Sequence, residues 1–547
     1  MSVPEGTVGA RFDRIAEQIA GALAAQCDRE TGFAETEFYS TAFAAMLWRR
    51  WPERFGDDIA AALERLKRQN KQARIGAWEN RFHWEFVRFA LADLFRSGPV
   101  SGYREPGDVL GEMRFVRNRV ANWTLLRSTV RLFGTGRLEK TIGRIERWLA
   151  LAVYQKPGGF IEDQRGAPTQ QYHAFATALL GYQIAVLEEP SADLRERFRA
   201  ALHALVRTAL HDGEVNAVGR GRFQSFGYAA AALALATGLR LGCAPEGSIS
   251  LLRSIADRLE AALGPDGTLP LMITRIDETE DVSPPPHHPH QRRIGWHSYN
   301  NGPDYLAFAG AILKLAVEQL AASPEPGTPL PLPAEDGLED GIRVIRNAAY
   351  SAITTLPRRT ITAAQPLPYI VTADGVRPLS SYGDETLPDS IYTALSLPLP
   401  VFEQHGGTFR TLLSGTDFRW AGPDKIVGET STFRFERRFD FAAGSIGIED
   451  ALTLTEAPDE AMLHLPWLTL PASAKPEQEA RDGAAFALDG ARLESDLPLT
   501  EVTAAAPQYG ISGRLRVWSN AAPPPPPGEI TTARYRILFK DIGPVTA

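Results

Sequence analysis

The hydrophobic period of this chain changes once, and that single change limits the folds open to it. From residue 9 to about 323 apolar residues recur at three- and four-residue spacing; beyond 341 they alternate. Between them lies PEPGTPLPLPAEDGLED, 324–340, a proline-rich joint with no period of its own. A period near 3.6 gives a helix one apolar face, and a period of 2 does the same for a strand. A helical domain, 1–323, should therefore precede a linker, 324–340, and an antiparallel β-sandwich, 341–547. At 547 residues the chain is too long for one core, so a division is expected on size as well.

The helical part contains eleven candidate helices, among them RFDRIAEQIAGALAAQC, ANWTLLRSTVRLF, LEKTIGRIERWLALAV and DYLAFAGAILKLAVEQL. Most connections are short, which makes neighbours antiparallel and lets helical hairpins stack side by side. A shared repeat consensus is missing, so closure into an (α/α) toroid fits better than a regular solenoid. Three loops are long: 155–171, 211–222 and 265–303. Long loops in a compact helical domain tend to carry function, and these three are expected to rim one cleft. Beyond the joint, STFRFERRFDF and GSIGIEDALTLT alternate cleanly. AYSAITTL, AMLHLPWLTL, GRLRVWSN and ARYRILF are further strand candidates, and the proline run 523–527 must be a loop.

Composition narrows function by exclusion. The formal charge is −8, which implies no general affinity for nucleic acid. Two cysteines, Cys27 and Cys243, are too few for a disulfide framework and are expected as buried free thiols in helical stretches. No apolar run reaches membrane-spanning length and no signal peptide is visible, so a cytoplasmic protein is expected from the sequence as written, and a periplasmic or secreted one if the true N-terminus is missing. Walker, Rossmann, GxSxG, HExxH and CxxC patterns are missing. His287, His288 and His290 lack both a recognised ligand spacing and an acidic neighbour, so no metal or other cofactor is expected.

The candidate chemistry gathers around two helix starts. Asn122 stands beside Trp123 on an amphipathic helix, and a mid-helix Asn is unfavourable unless its side chain has a task. One helical hairpin later, Gln171, Tyr172 and His173 open another helix after a Gly-Gly loop that carries Glu162, Asp163 and Arg165. An amide, a phenol and an imidazole on one cleft suit removal of a proton from carbon next to a carboxylate. Arg220 and Arg222 flank Gly221, leaving room for close approach and offering a bidentate fork to a carboxylate. Trp296, His297, Tyr299, Asn300 and Asn301 add stacking and hydrogen-bonding groups before a later helix. Trp78, Asn80, His83 and Trp84 form a weaker aromatic group.

Layout and local motifs together resemble the toroid-type polysaccharide lyases: the heparinase II/III-like, alginate-lyase-like and chondroitin/hyaluronan-lyase-like groups. ANWTLLRSTVRLFG is similar to their Asn-bearing helix, and GGFIEDQRGAPTQQYHAFATALL to the segment that carries their catalytic Tyr. GRGRFQ resembles the Arg segment of the chondroitin type, and FRFERRFDFAAGSIGIEDAL a heparinase-like strand pair. The chondroitin-type histidine before the Tyr has no counterpart, and the sandwich holds only His405 and His464 where the heparinase type is histidine-rich.

The resemblance implies a β-eliminating lyase on a uronate-containing polysaccharide. Asn122 with Arg220 or Arg222 would bind the carboxylate. Tyr172 would move the proton, with His173 or His297 sharing or replacing it. Trp123, Arg165, Gln171, Trp296, Tyr299, Asn300 and Asn301 would hold the sugars. Two rivals remain. One is a glycoside hydrolase on the same helical scaffold, using Glu162 or Asp163 with Asp304; the other is a non-catalytic glycan-binding protein.

Overall fold

The computed structural model describes residues 6–33, 39–75, 84–111, 120–166, 168–187, 191–219, 221–271, 273, 302–323, 328–356, 369–379, 382–383, 399–405, 407, 409–412, 416–459, 461–477, 483–503, 508–510 and 513–540. These fall into two compact units. The first takes 6–206, 221–273 and 302–332; the second takes 207–219 and 333–540. The chain is thus a helical toroid followed by an antiparallel β domain, with 207–219 grouped with the strands.

Twelve α-helices are present among the described residues: α1 (Val8–Gln26), α2 (Ser40–Trp48), α3 (Pro52–Ile75), α4 (Trp84–Leu94), α5 (Pro106–Leu110), α6 (Ala121–Phe133), α7 (Arg137–Tyr154), α8 (Gln170–Tyr182), α9 (Ala192–Arg207), α10 (Ser225–Arg240), α11 (Ser248–Ala262) and α12 (Gly302–Ala321). All eleven anticipated helices form. The short α5 was not anticipated, because PGDVL has no room for a period; a capping box between Glu105 and Asp108 holds it instead.

Sequence character sorts the helices into two layers. α2, α4, α8, α10 and α12 are rich in Ala, Leu and Phe on all sides and are buried nearly all round. A helix apolar all round must be surrounded by protein. These five and α6 pack in succession, α2 on α4, α4 on α6, α6 on α8, α8 on α10, α10 on α12, and α12 back on α2. That closed ring is the inner layer. The amphipathic α1, α3, α7, α9 and α11 lie outside it.

Phenylalanines fill the ring's centre. Phe43, Phe86, Phe175, Phe226 and Phe308 come from five different inner helices, and their linked ring centroids lie 4.8–6.5 Å apart. Such edge and offset contacts add about 0.5–1.5 kcal/mol each beyond area burial. Gly181 lets the outer layer approach: a Cβ there would meet the Phe198 ring of α9 at 2.6 Å.

The β unit contains three larger antiparallel sheets. Glu335–Glu339, Ile342–Arg346, Tyr350–Thr355 and Tyr369–Thr372 make a four-stranded one. An eight-stranded sheet is centred on Phe433–Ala442, Ser445–Leu454 and Ile530–Phe539; a seven-stranded one is built around Met462–Pro471 and Gly513–Ala522. Side chains from all three share one core, including Tyr350, Phe402, Phe435, Leu468 and Ile537. The alternation at 433–442 puts Phe433, Phe435, Arg437 and Phe439 inward, so an arginine occupies a core position. Asp450, directly opposite it, takes both ends of the guanidinium at 2.7 Å.

Two differences from the sequence reading appear here. The first strand lies inside the stretch read as linker, since EDGLE shows no alternation. Neither cysteine is in a helix: Cys27 caps α1 and Cys243 follows α10, and both are only partly buried, although both are free.

Candidate functional site

The first turns of the inner helices bring the candidate groups together. Asn122 is in the first turn of α6, and Tyr172 in the first turn of α8, the next helix of the ring. Asn122 is 1% exposed and its Oδ1 accepts the Trp123 N–H at 2.8 Å. With the oxygen committed to the helix end, the amide has its NH2 donors to offer a ligand.

The 155–169 loop is fastened to both helix starts. The Asp163 carbonyl accepts the Ala121 N–H at 3.2 Å, one residue before Asn122. The Ile161 N–H donates to His173 Nδ1 at 2.9 Å, one residue after Tyr172. The loop is closed on itself as well: Glu162 accepts the Gly166 N–H at 2.8 Å and pairs with Lys156 at 3.2 Å. Asn122 and Tyr172 are therefore not independent side chains on two helices. One loop is tied to both helix starts, to the backbone of α6 and to the His173 ring of α8.

A second tie runs from Tyr172 toward the arginine turn. Gln171 Nε2 donates to Gln224 Oε1 at 3.0 Å, and both amides are almost fully buried. Gly221 sits directly against this pair: its φ is +75°, and a Cβ there would meet Gln171 Nε2 at 2.0 Å. Only glycine accepts both that backbone and that proximity. Phe223, two residues on, is left-handed at φ +62° without being glycine, and is fully buried. A strained non-glycine residue persists where the surroundings over-determine it, and such positions concentrate at ligand clamps. Arg222, between them, is 6% exposed.

Tyr172 itself is 8% exposed, with Phe226 of α10 edge-on at 6.1 Å. Its neighbour His173 is different in kind. Nε2 lies 3.1 Å from the Ala201 carbonyl, so it carries the proton, and Nδ1 accepts from Ile161. The ring stacks on Phe160 at 4.2 Å and is fully buried. His173 thus has both nitrogens engaged with backbone, which suits a residue that positions Tyr172.

The remaining expected groups are scattered. Trp123 is buried against Phe86 at 5.4 Å, and Arg165 is exposed. Asp304 caps α2, accepting the N–H groups of Tyr39 and Ser40 at 2.9 and 2.6 Å. Trp84 begins α4, while Trp78, Asn80 and His83 lie outside the described residues. Arg220, His287, His288, His290, Trp296, His297, Tyr299, Asn300 and Asn301 lie outside them too.

Two charged residues at the start of α4 were passed over in the sequence. Glu85 and Arg88 are 0% and 5% exposed on a helix of the inner ring, and burial pushes the Arg88 guanidinium down to about 10. The available signal was a Glu and an Arg inside the otherwise apolar WEFVRFALADL.

No family model and no curated protein matches the sequence. Solved structures do match its fold. Chondroitin AC lyase of Streptomyces coelicolor, solved in complex with chondroitin sulphate, is 12% identical, with a TM-score of 0.54 over 98% of this chain and 80% of that one. A chondroitinase AC lyase solved as oligosaccharide complexes is 10% identical, with a TM-score of 0.52 over 98% and 84%. At these identities the likeness is one of fold.

Proposed function

We propose that this chain, which has the toroid-and-sheet fold of the chondroitin AC lyases, cleaves a uronate-containing acidic polysaccharide by β-elimination. The observation that carries the reading is the 155–169 loop, hydrogen-bonded at once to the helix starts bearing Asn122 and Tyr172. Proton transfer needs an amide and a phenol held in fixed relation, and one loop holding both supplies that.

In this reading the Asn122 amide and the Arg222 guanidinium donate to the uronate carboxylate. Their donors stabilise the negative charge that develops there when C5 loses its proton. Tyr172, as phenolate, takes that proton. The electron pair of the C5–H bond becomes the C4–C5 double bond, and the C4–O bond breaks. The leaving oxygen collects a proton from Tyr172, which returns to phenolate. His173 fixes the Tyr172 turn through Ile161 and Ala201. Gln171 and Gln224 keep the Arg222 turn against the same helix start. Arg220 belongs to the carboxylate clamp in this proposal, His297 to proton transfer, and Trp296, Tyr299, Asn300, Asn301, Trp123 and Arg165 to sugar binding.

The hydrolase reading is less well supported by the carboxylates. Asp304 is used as a helix cap and Glu162 by Lys156 and Gly166, so neither is set up as a free acid or base. Products separate the two. A lyase leaves an unsaturated uronate that absorbs in the near ultraviolet, and a hydrolase leaves saturated ends. Screening acidic polysaccharides for both products tests the proposal; saturated ends alone would overturn it.

A further inference from the structure

The helices differ in how their starts are closed. A helix N-terminus carries a positive partial charge, commonly met by a capping side chain or an acidic residue in the first turn. α3, α4, α5, α7, α9 and α12 each have an acidic residue there. The Thr7 hydroxyl caps α1, and Asp304 caps α2. α6, α8 and α10 have neither device. These three are neighbours in the ring, and they bring Asn122, Tyr172 and, just before α10, Arg222.

Backbone carbonyls close two of them. The Asp163 carbonyl takes the Ala121 N–H at the start of α6, and the Leu271 carbonyl takes the Ser225 N–H at 2.8 Å at the start of α10. α8 is left to its N-cap residue, Thr169. Thr169 has the extended backbone of an N-cap, φ −134° and ψ 113°, and its carbonyl accepts the His173 N–H at 3.0 Å. That geometry ordinarily lets the side-chain oxygen accept an N–H of the first turn. The Thr169 hydroxyl makes no such bond, and among the described residues it has no hydrogen-bond partner at all. Thr169 is nevertheless 1% exposed. A hydroxyl taken out of water and left unmatched costs stability that a methyl group in its place does not. This one stands three residues before Tyr172, at the positive end of the helix that carries it. A hydroxyl donor at an uncapped helix N-terminus suits an oxyanion.

We propose that the start of α8, with the Thr169 hydroxyl as donor, is a subsite for a second oxyanion of the substrate. Asn122 and Arg222 serve the carboxylate of the uronate that is cleaved, so the group at Thr169 is a carboxylate or sulfate ester on a neighbouring sugar. The identity of the ligand rests on the lyase reading; the anion site rests on Thr169 and α8 alone.

Thermal melts of the full chain in millimolar sodium sulfate, against sodium chloride of equal ionic strength, test the site without any reaction. Wild type and Thr169→Ser should melt higher in sulfate, and Thr169→Val should lose that increment. In chloride Thr169→Val should melt no lower than wild type, because no hydrogen bond is lost. A lower melt there would make the hydroxyl a cap and overturn the proposal, as would an equal sulfate increment in wild type and Thr169→Val. Kinetics separate the two sources of the oxyanion, on a uronate polymer without sulfate and on a sulfated one. Thr169→Val should raise KM about tenfold or more on the polymer whose group is held, the worth of one hydrogen bond to a charged group, with a smaller change in kcat. Thr169→Ser should restore KM. An unchanged KM on both polymers would overturn the substrate role. A sulfate increment that depends on Thr169, with no unsaturated product from any polymer, would sink the lyase reading and leave the anion site standing.

Discussion

Two tyrosines ten residues apart on α8 show what separates a site from a staple. Tyr182, in the last turn, donates to Asp93 at 2.5 Å. Asp93 also takes Lys314 at 2.7 Å and Arg96 at 3.2 Å, and the group joins α4, α8 and α12 across the ring. Burial opposes the Asp93 charge most strongly, yet Lys314, Arg96 and the Tyr182 hydroxyl outweigh it and hold the carboxyl below its ordinary range. Burial and the Asp93 charge push the Tyr182 phenol far up. Tyr172, in the first turn, stands among neutral hydrogen bonds instead: loop backbone to α6, loop backbone to the His173 ring, and the Gln171 amide to the Gln224 amide. Charges spent on each other hold helices together.

That contrast can be broken most sharply by exchanging what each tyrosine loses. Tyr172→Phe should lower turnover by about 10²–10⁴, as expected for a lost general acid–base group. Its stability should change by less than about 1.5 kcal/mol, because volume is conserved. Tyr182→Phe should do the reverse. Turnover per folded molecule should hold, while denaturant titration reports a loss of about 1–3 kcal/mol from the under-satisfied Asp93. If both variants lose only stability, the two ends of α8 are the same kind of structure.

Lys314→Met probes the staple alone. Removing one partner of a buried pair typically costs about 3–5 kcal/mol, and urea melts should show it. The effect should also depend on pH. The Asp93 pKa is lowered in the fold, so its contribution is fully present above the ordinary carboxylate range and is lost as pH falls from that range down through the lowered folded value. A Lys314→Met protein as stable as wild type would mean the network is not holding the ring.

Asn122→Ala and Arg222→Ala sharpen the other side. Each removes a donor to a developing anion and should lower turnover by about 10²–10³. Steady-state kinetics on a uronate polymer would return either residue to a structural role if the rate stayed at wild type.

The smallest effect belongs to the β unit. His211 Nε2 is 2.8 Å from the Asn347 carbonyl, and its pKa is lowered, chiefly by burial, with the Asn347 bond opposing. The folded state prefers the neutral ring. Stability should therefore be full above the unfolded value of about 6.5 and decline as pH falls through it. His211→Gln should flatten that decline in thermal melts between neutral and mildly acid pH; a slope that stays would clear His211 of any part in it.

Much of the fold was legible because period is local. Eleven helices and the main strands announced themselves in windows of about twenty residues or fewer. Closure of the ring was expected only indirectly, from the missing repeat consensus and the resemblance, since nothing in α2 or α12 alone says that they meet. The candidate site was legible as residue types: an Asn on a helix, a Tyr after Gly-Gly, arginines around a glycine. What those residues do was not. His173 reads as a possible base, and only the tertiary partners Ile161 and Ala201 show both its nitrogens engaged. Asp93 and Lys314 are 221 residues apart, so their pairing left no trace in either neighbourhood.

The most direct test of the central claim is the near-ultraviolet absorbance of an acidic polysaccharide incubated with wild type and with Tyr172→Phe, the two proteins matched by melting temperature. The account predicts rising absorbance with wild type and a rate lower by about 10²–10⁴ with the variant. Equal rates from the two proteins would contradict it, as would new reducing ends from wild type with no absorbance at all.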